Sequence, residues 1–135
     1  MRETVLVSAC LLGLATRYDG KRLLEPRARD LLERYRVVPV CPEQLGGLPT
    51  PRPPAEILGG DGGAVLSGAA RVINARGEDV TGAFLRGAEE VLRLARLLGA
   101  RQAFLKAQSP SCGLHPLGVT AALLLREGLE VYEWA

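Results

Sequence analysis

Four short apolar runs, separated by stretches that read as helices, constrain the fold of this chain more than any other feature. The runs are residues 4–9 (with Val5 and Val7), Val37-Val38-Pro39-Val40, Ala103-Phe104-Leu105, and residues 130–133. Between the first two, Pro26 stands at a first helical position, and Leu31 and Leu32 share one face of a helix over 26–35. From Thr81 to Leu98, Phe84, Ala88, Val91, Leu92, Ala95 and Leu98 fall on one helical stripe, and Gly99 supplies the stop. A third helix is predicted over 118–126. Strands alternating with helices predict a mainly parallel sheet covered on both faces, a Rossmann-like three-layer α/β domain. With 135 residues, 47% of them hydrophobic, the chain can build one such domain, residues 1–135, around a core that needs no disulfides. Pro39 cannot donate to a ladder, which argues against a central place for the second strand.

The middle of the chain reads differently. Residues 41–63 are rich in Pro and Gly and predict a long irregular stretch, of the kind that is functional or flexible. Ala64-Val65-Leu66 and Arg71-Val72-Ile73 then predict a small antiparallel hairpin. Gly59-Gly60-Asp61-Gly62-Gly63 looks at first like a phosphate loop, but it lacks the Lys-Ser/Thr ending and no helix pattern follows. It reads as a flexible lead-in to the hairpin. Asp79 and Thr81 are suited to capping the long helix.

Charge excludes some classes of function. Seventeen basic residues against fifteen acidic ones give a net charge of +2, with no block of either sign. Neither a membrane surface nor intact nucleic acid is an expected partner. The opening residues run straight into a strand, without the basic region, apolar stretch and cleavage site of a signal peptide, and no apolar run approaches a membrane span. A cytoplasmic protein is expected. In that reducing compartment three cysteines do not read as a disulfide framework.

Cys10 follows the first strand, Cys41 the second, and Cys112 lies a few residues beyond the third. Open parallel sheets bind ligands at the carboxyl ends of their strands, so the three thiols are expected at one sheet edge. Any one of them alone could be a core residue; three at equivalent positions, each beside loop-forming residues, point to a metal centre. Three thiolates leave one metal position free for substrate. His115, three residues after Cys112, could instead complete a Cys₃His zinc site without catalysis. A third reading is a redox or sulfur-carrier protein with a reactive cysteine.

Other residues near these cysteines have two readings each. Glu43 is a loop carboxylate placed to handle protons beside a ligand. Ser109 and Ser111 are turn formers or substrate contacts. Lys106, one of two lysines, could offset the charge of a thiolate-bound cluster, contact substrate, or snorkel from a strand end. Arg17 and Arg52 lie in loops at the same edge and could do similar work, or be surface charges. Tyr132 and Trp134 read as packing residues at a sheet edge, where a homodimer could also form.

The motifs resemble a known family. Val7-Ser8-Ala9-Cys10-Leu11-Leu12-Gly13 with Arg17-Tyr18-Asp19-Gly20 is similar to the opening of the thiouracil desulfurase (TudS-like) family. Val40-Cys41-Pro42-Glu43 through Pro49, and Pro51-Arg52-Pro53-Pro54-Ala55-Glu56, resemble its second block. Asp79-Val80-Thr81 with Gly87-Ala88, Leu105-Lys106 with Ser109-Pro110-Ser111-Cys112-Gly113, and Gly118-Val119-Thr120 resemble the rest. The likeness runs in order along nearly the whole chain. It implies a [4Fe-4S] cluster on Cys10, Cys41 and Cys112 with one iron open to a small thiolated heterocycle such as 2-thiouracil. It also implies proton handling by Glu43 and substrate orientation by Ser109. The segment between the last two blocks, residues 114–117, is shorter than the family pattern, which implies the loss of a substrate-covering loop.

Overall fold

The structure, a computed structural model, describes residues 2–23 and 25–134; Met1, Leu24 and Ala135 lie outside the described residues. Strands β1 (Thr4–Ser8), β2 (Arg36–Val40), β5 (Gln102–Lys106) and β6 (Glu130–Trp134) form one parallel sheet in the order β2-β1-β5-β6. Pro39 accordingly sits on an edge strand, where its missing N–H costs no ladder bond on the open side. Side chains alternate across the sheet. Val5 and Val7 of β1 pack with Leu11 and with Leu31 of α1 (Ala28–Arg34) on one face. On the other face, Leu6 joins a larger core built from α4 (Thr81–Leu98) and α5 (Val119–Arg126). The chain is thus a mixed α/β fold with helices on both faces of a parallel sheet. From β1 it steps to β2 on one side and later returns to β5 on the other. The carboxyl ends of β1 and β5 therefore flank a point where strand order reverses.

The stretch over 41–63 is more ordered than its composition suggests. It contains α2 (Pro42–Leu45), β3 (Ala55–Leu58) and the start of α3 (Gly62–Leu66). The antiparallel partner of β4 (Arg71–Asn74) is β3 rather than Ala64-Val65-Leu66, which is helical. Three apolar residues in a row carry no periodicity that separates strand from helix. Asp61 decides the matter, because its Oδ1 accepts the Ala64 N–H at 3.0 Å and caps α3. The glycine-rich segment is therefore a helix start and not a hairpin lead-in.

Two glycines place α2. A Cβ on Gly87 of α4 would lie 2.0 Å from the Pro42 carbonyl oxygen, and one on Gly46 would lie 1.9 Å from that of Ala83. Only two bare backbones can cross this closely, and the contact presses the α2 turn, with Glu43, onto α4.

At the other end of the β3–β4 ribbon, Asp79 anchors the start of α4. Hydrogen bonding from Thr81, through its side chain and then its backbone N–H (2.9 Å), holds the Asp79 carboxyl down to about 2, with help from Arg71 at 2.6 Å. A carboxyl held below its unfolded value stabilises the fold above that value, and the contribution fades as pH falls towards the folded one. Asp79→Asn is therefore expected to lower the thermal midpoint at neutral pH, with the gap to wild type closing between about pH 4 and pH 2. A gap unchanged across that window in thermal melts would show that the ionised carboxylate contributes nothing.

Among the described residues no helix is long and apolar enough to cross a membrane.

Candidate metal centre

The register of the sheet brings the cysteine loops together. Ser8 at the end of β1 pairs with Val40 at the end of β2, and Val7 pairs with Phe104 of β5. The chain leaving β1 turns through a 3-10 segment, Ala9–Leu12, that carries Cys10. Cys41 stands directly between β2 and α2, and Cys112 lies in the loop after β5. All three are free thiols lining one cavity of about 340 Å³. Arg17, Glu43, Arg52, Lys106, Ser109 and Ser111 line it too, so the three cysteines and the six polar residues singled out beside them meet around a single space. His115 does not. It is exposed on the short loop after Cys112, is not among the residues lining the cavity, and its backbone N–H points to Glu133.

Helix α5 fixes the Cys112 loop. Its first free N–H groups would be unsatisfied in an isolated helix; here Val119 donates to the Pro110 carbonyl (2.9 Å), and Thr120 and Ala121 both donate to that of Ser111 (2.8 and 3.0 Å). Gly118 permits the approach, since a Cβ there would lie 2.5 Å from the Ser111 carbonyl carbon. The Gly-Val-Thr motif thus serves the cysteine loop from behind, without facing the cavity.

Glu43 sits at the centre of the polar network. Its Oε1 accepts from Arg52 Nε at 2.8 Å, and its Oε2 accepts from Ser111 Oγ at 3.1 Å. Ser109 Oγ accepts two backbone N–H groups, from Ser111 and Cys112, both at 3.2 Å. Its own proton is then free for Ser111 Oγ, 3.0 Å away, so Ser109, Ser111 and Glu43 form a directed line of hydrogen bonds. Ser111, more than Ser109, is the serine that touches the carboxylate. On the far side of the loop Ser8 Oγ accepts the Lys106 N–H (3.0 Å) and points its proton at Cys112 Sγ (3.6 Å). The sequence reading missed Ser8; a polar residue closing an apolar strand just before a cysteine was the available signal. Tyr18 and Gln108 also line the cavity unforeseen as site residues, Gln108 on a left-handed backbone with φ 61°.

Two of the thiols, Cys112 and Cys10, are poorly suited to act unaided. Burial pushes Cys112 up to about 12, against the pull of hydrogen bonds from Ser8 and Ser111. Burial also raises Cys10, and the neighbouring Cys41 adds to it, while Lys106 and Arg17 pull the other way. Reactive cysteines are lowered instead, and a bound metal deprotonates its thiols outright. Two cationic side chains beside Cys10 suit that thiolate state.

Three free thiols facing one cavity are a donor set that fits a cysteine-held iron–sulfur cluster.

Comparison with known proteins gives the family. The family model for 2-thiouracil desulfurase matches residues 5–133. The uncharacterized protein YbbK of Bacillus subtilis (strain 168) is 42% identical over 140 residues, covering 94% of this chain and 93% of its own. Among solved structures, the [4Fe-4S]-dependent thiouracil desulfidase TudS superposes with a TM-score of 0.84 at 40% identity, over 98% of this chain and 91% of that one. With the family pattern running from β1 to β6 on a shared fold, the chain belongs to the 2-thiouracil desulfurase family.

Proposed function

We propose that this protein is an iron–sulfur-dependent desulfurase that hydrolyses the C–S bond of a thiolated pyrimidine such as 2-thiouracil, with residues 1–135 acting as one unit. The observation that carries the reading is the convergence of Cys10, Cys41 and Cys112, from the ends of three adjacent strands, on one cavity that also holds Glu43. Family membership and the likeness to TudS support it. The three cysteines would hold a [4Fe-4S] cluster, which when bound supplies a Lewis-acidic iron with an open position for the thiocarbonyl sulfur.

The chain's own groups do the rest. Water adds to the ring carbon as the C–S bond breaks, so thiouracil and water become uracil and hydrogen sulfide. Glu43 takes the proton of that water on the carboxylate held between Arg52 and Ser111. Ser109 and Ser111 offer the line along which a proton leaves or returns. Lys106, whose ammonium has the Ala107 carbonyl as its hydrogen-bond partner at 3.1 Å, and Arg17 balance negative charge near Cys10 and orient the heterocycle. A cytoplasmic setting fits three free thiols.

Anaerobic reconstitution followed by metal analysis and a sulfide assay tests the reading. About four irons per chain, an absorption band at about 400 nm and sulfide release from 2-thiouracil are expected. One zinc and no iron would sink it.

A further inference from the structure

Arg52 lines the cavity, yet it is only 9% exposed. Its guanidinium has five N–H groups in a rigid fork, and four hydrogen bonds tie that fork to oxygens of the protein. Nε donates to Glu43 Oε1 at 2.8 Å. Nη1 donates to Thr50 Oγ1 at 2.8 Å and to the Pro49 carbonyl at 3.2 Å. Nη2 donates to the Thr16 carbonyl at 2.9 Å and faces Cys41 Sγ at 4.0 Å. Little of the fork is left to meet a substrate. The backbone repeats the same tie, because the Arg52 N–H donates to the Tyr18 carbonyl at 2.8 Å.

We propose that Arg52 is a positioning residue for Glu43 rather than a substrate ligand: one guanidinium ties the carboxylate to the Pro49–Thr50 turn and the Thr16–Tyr18 loop as a single unit. This rests on the desulfurase reading of the same cavity. The carboxylate stands on a four-residue turn, too short to fix a side chain by itself. Without Arg52, Glu43 keeps only its bond from Ser111, and one oxygen is released to swing towards water. An ammonium cannot replace the fork. Lysine is a point charge that can satisfy Glu43 or the Thr16 carbonyl but not the whole set.

The test uses Arg52→Gln and Arg52→Lys in the reconstituted protein, with kcat and KM for 2-thiouracil and iron content. Misplacing a reacting group by about 1 Å costs about a hundredfold in rate. In Arg52→Gln we expect kcat to fall by about that factor, with KM within about twofold and iron retained. Arg52→Lys is expected to recover about tenfold or less. Residues acting through one another are not additive, so adding Arg52→Gln to Glu43→Gln should cost almost nothing more.

A rise in KM with kcat preserved would make Arg52 a substrate ligand, additive losses would make it independent of Glu43, and loss of iron would assign it to the metal site; each overturns the proposal. A readout free of turnover separates it from the parent reading. In the metal-free protein the ¹³C resonance of the Glu43 carboxyl should move in Arg52→Gln and stay in place in a distant surface variant such as Arg101→Gln. An unmoved resonance overturns the clamp whether or not the enzyme turns over. A moved resonance with no sulfide released by wild type overturns the desulfurase reading alone.

Discussion

Cys112→Ala is expected to retain little iron after anaerobic reconstitution and to release no detectable sulfide from 2-thiouracil. Cys112 is the most enclosed of the three thiols, lying in a loop whose backbone is pinned by the N-terminus of α5. Removing it leaves only Cys10 and Cys41, and two thiolates would be too few to hold a cubane cluster. The metal-free fold should survive the change. Alanine removes one sulfur, and the Ser8 hydroxyl that loses its acceptor still accepts the Lys106 N–H, so the cost should be about 1 kcal/mol. Iron per chain, the visible spectrum and the thermal midpoint of the metal-free protein separate the two effects. A variant that binds four irons as wild type does would remove Cys112 from the ligand set and leave the cavity without its third thiolate.

The second large effect is expected at Glu43. Glu43→Gln keeps the shape of the side chain and an acceptor oxygen for Arg52 Nε, while its amide NH₂ meets Ser111 Oγ as a donor, so that bond is kept with its direction reversed. What it removes is the site that accepts a proton from water. General base catalysis contributes about 10²–10⁴ in rate, and a fall of about a thousandfold in kcat corresponds to about 4 kcal/mol of barrier. Iron content and KM should stay close to wild type, since the three thiols and the cations beside Cys10 all remain in place. Near-normal turnover would move proton handling elsewhere, and the Ser109–Ser111 line would be the next place to look.

Ser111 shows how the tertiary structure changes the weight of a motif. In sequence, Ser109 and Ser111 are equivalent members of one turn. In space Ser109 spends its acceptor capacity on two backbone N–H groups of that turn, while Ser111 reaches across to Glu43, 68 positions earlier in the chain. Arg52 changes in the same way, from a loop arginine free to meet substrate to a buried group with four hydrogen bonds to oxygens of the protein.

The pattern of apolar runs and helical stripes was enough to read a parallel α/β fold with its cysteines at strand ends. Burial of a sheet on two faces forces that periodicity on the sequence, and a strand's exit point follows from its direction. The edge position of β2 was legible from one proline. The order β2-β1-β5-β6 was not, because strand order depends on which side of β1 each crossover takes, and no local residue records that choice. Residues 41–66 differ from the sequence expectation for a related reason. Their helices are four and five residues long, below the length at which periodicity speaks, and a cap at Asp61 and backbone crossings at Gly46 and Gly87 hold them in place. The chemistry of the candidate site was written in residue types at loop positions. Which oxygen faces which donor was decided only when α2, the Thr16–Tyr18 loop and the Cys112 loop packed together, because hydrogen bonds between residues far apart in sequence are set by packing and not by spacing.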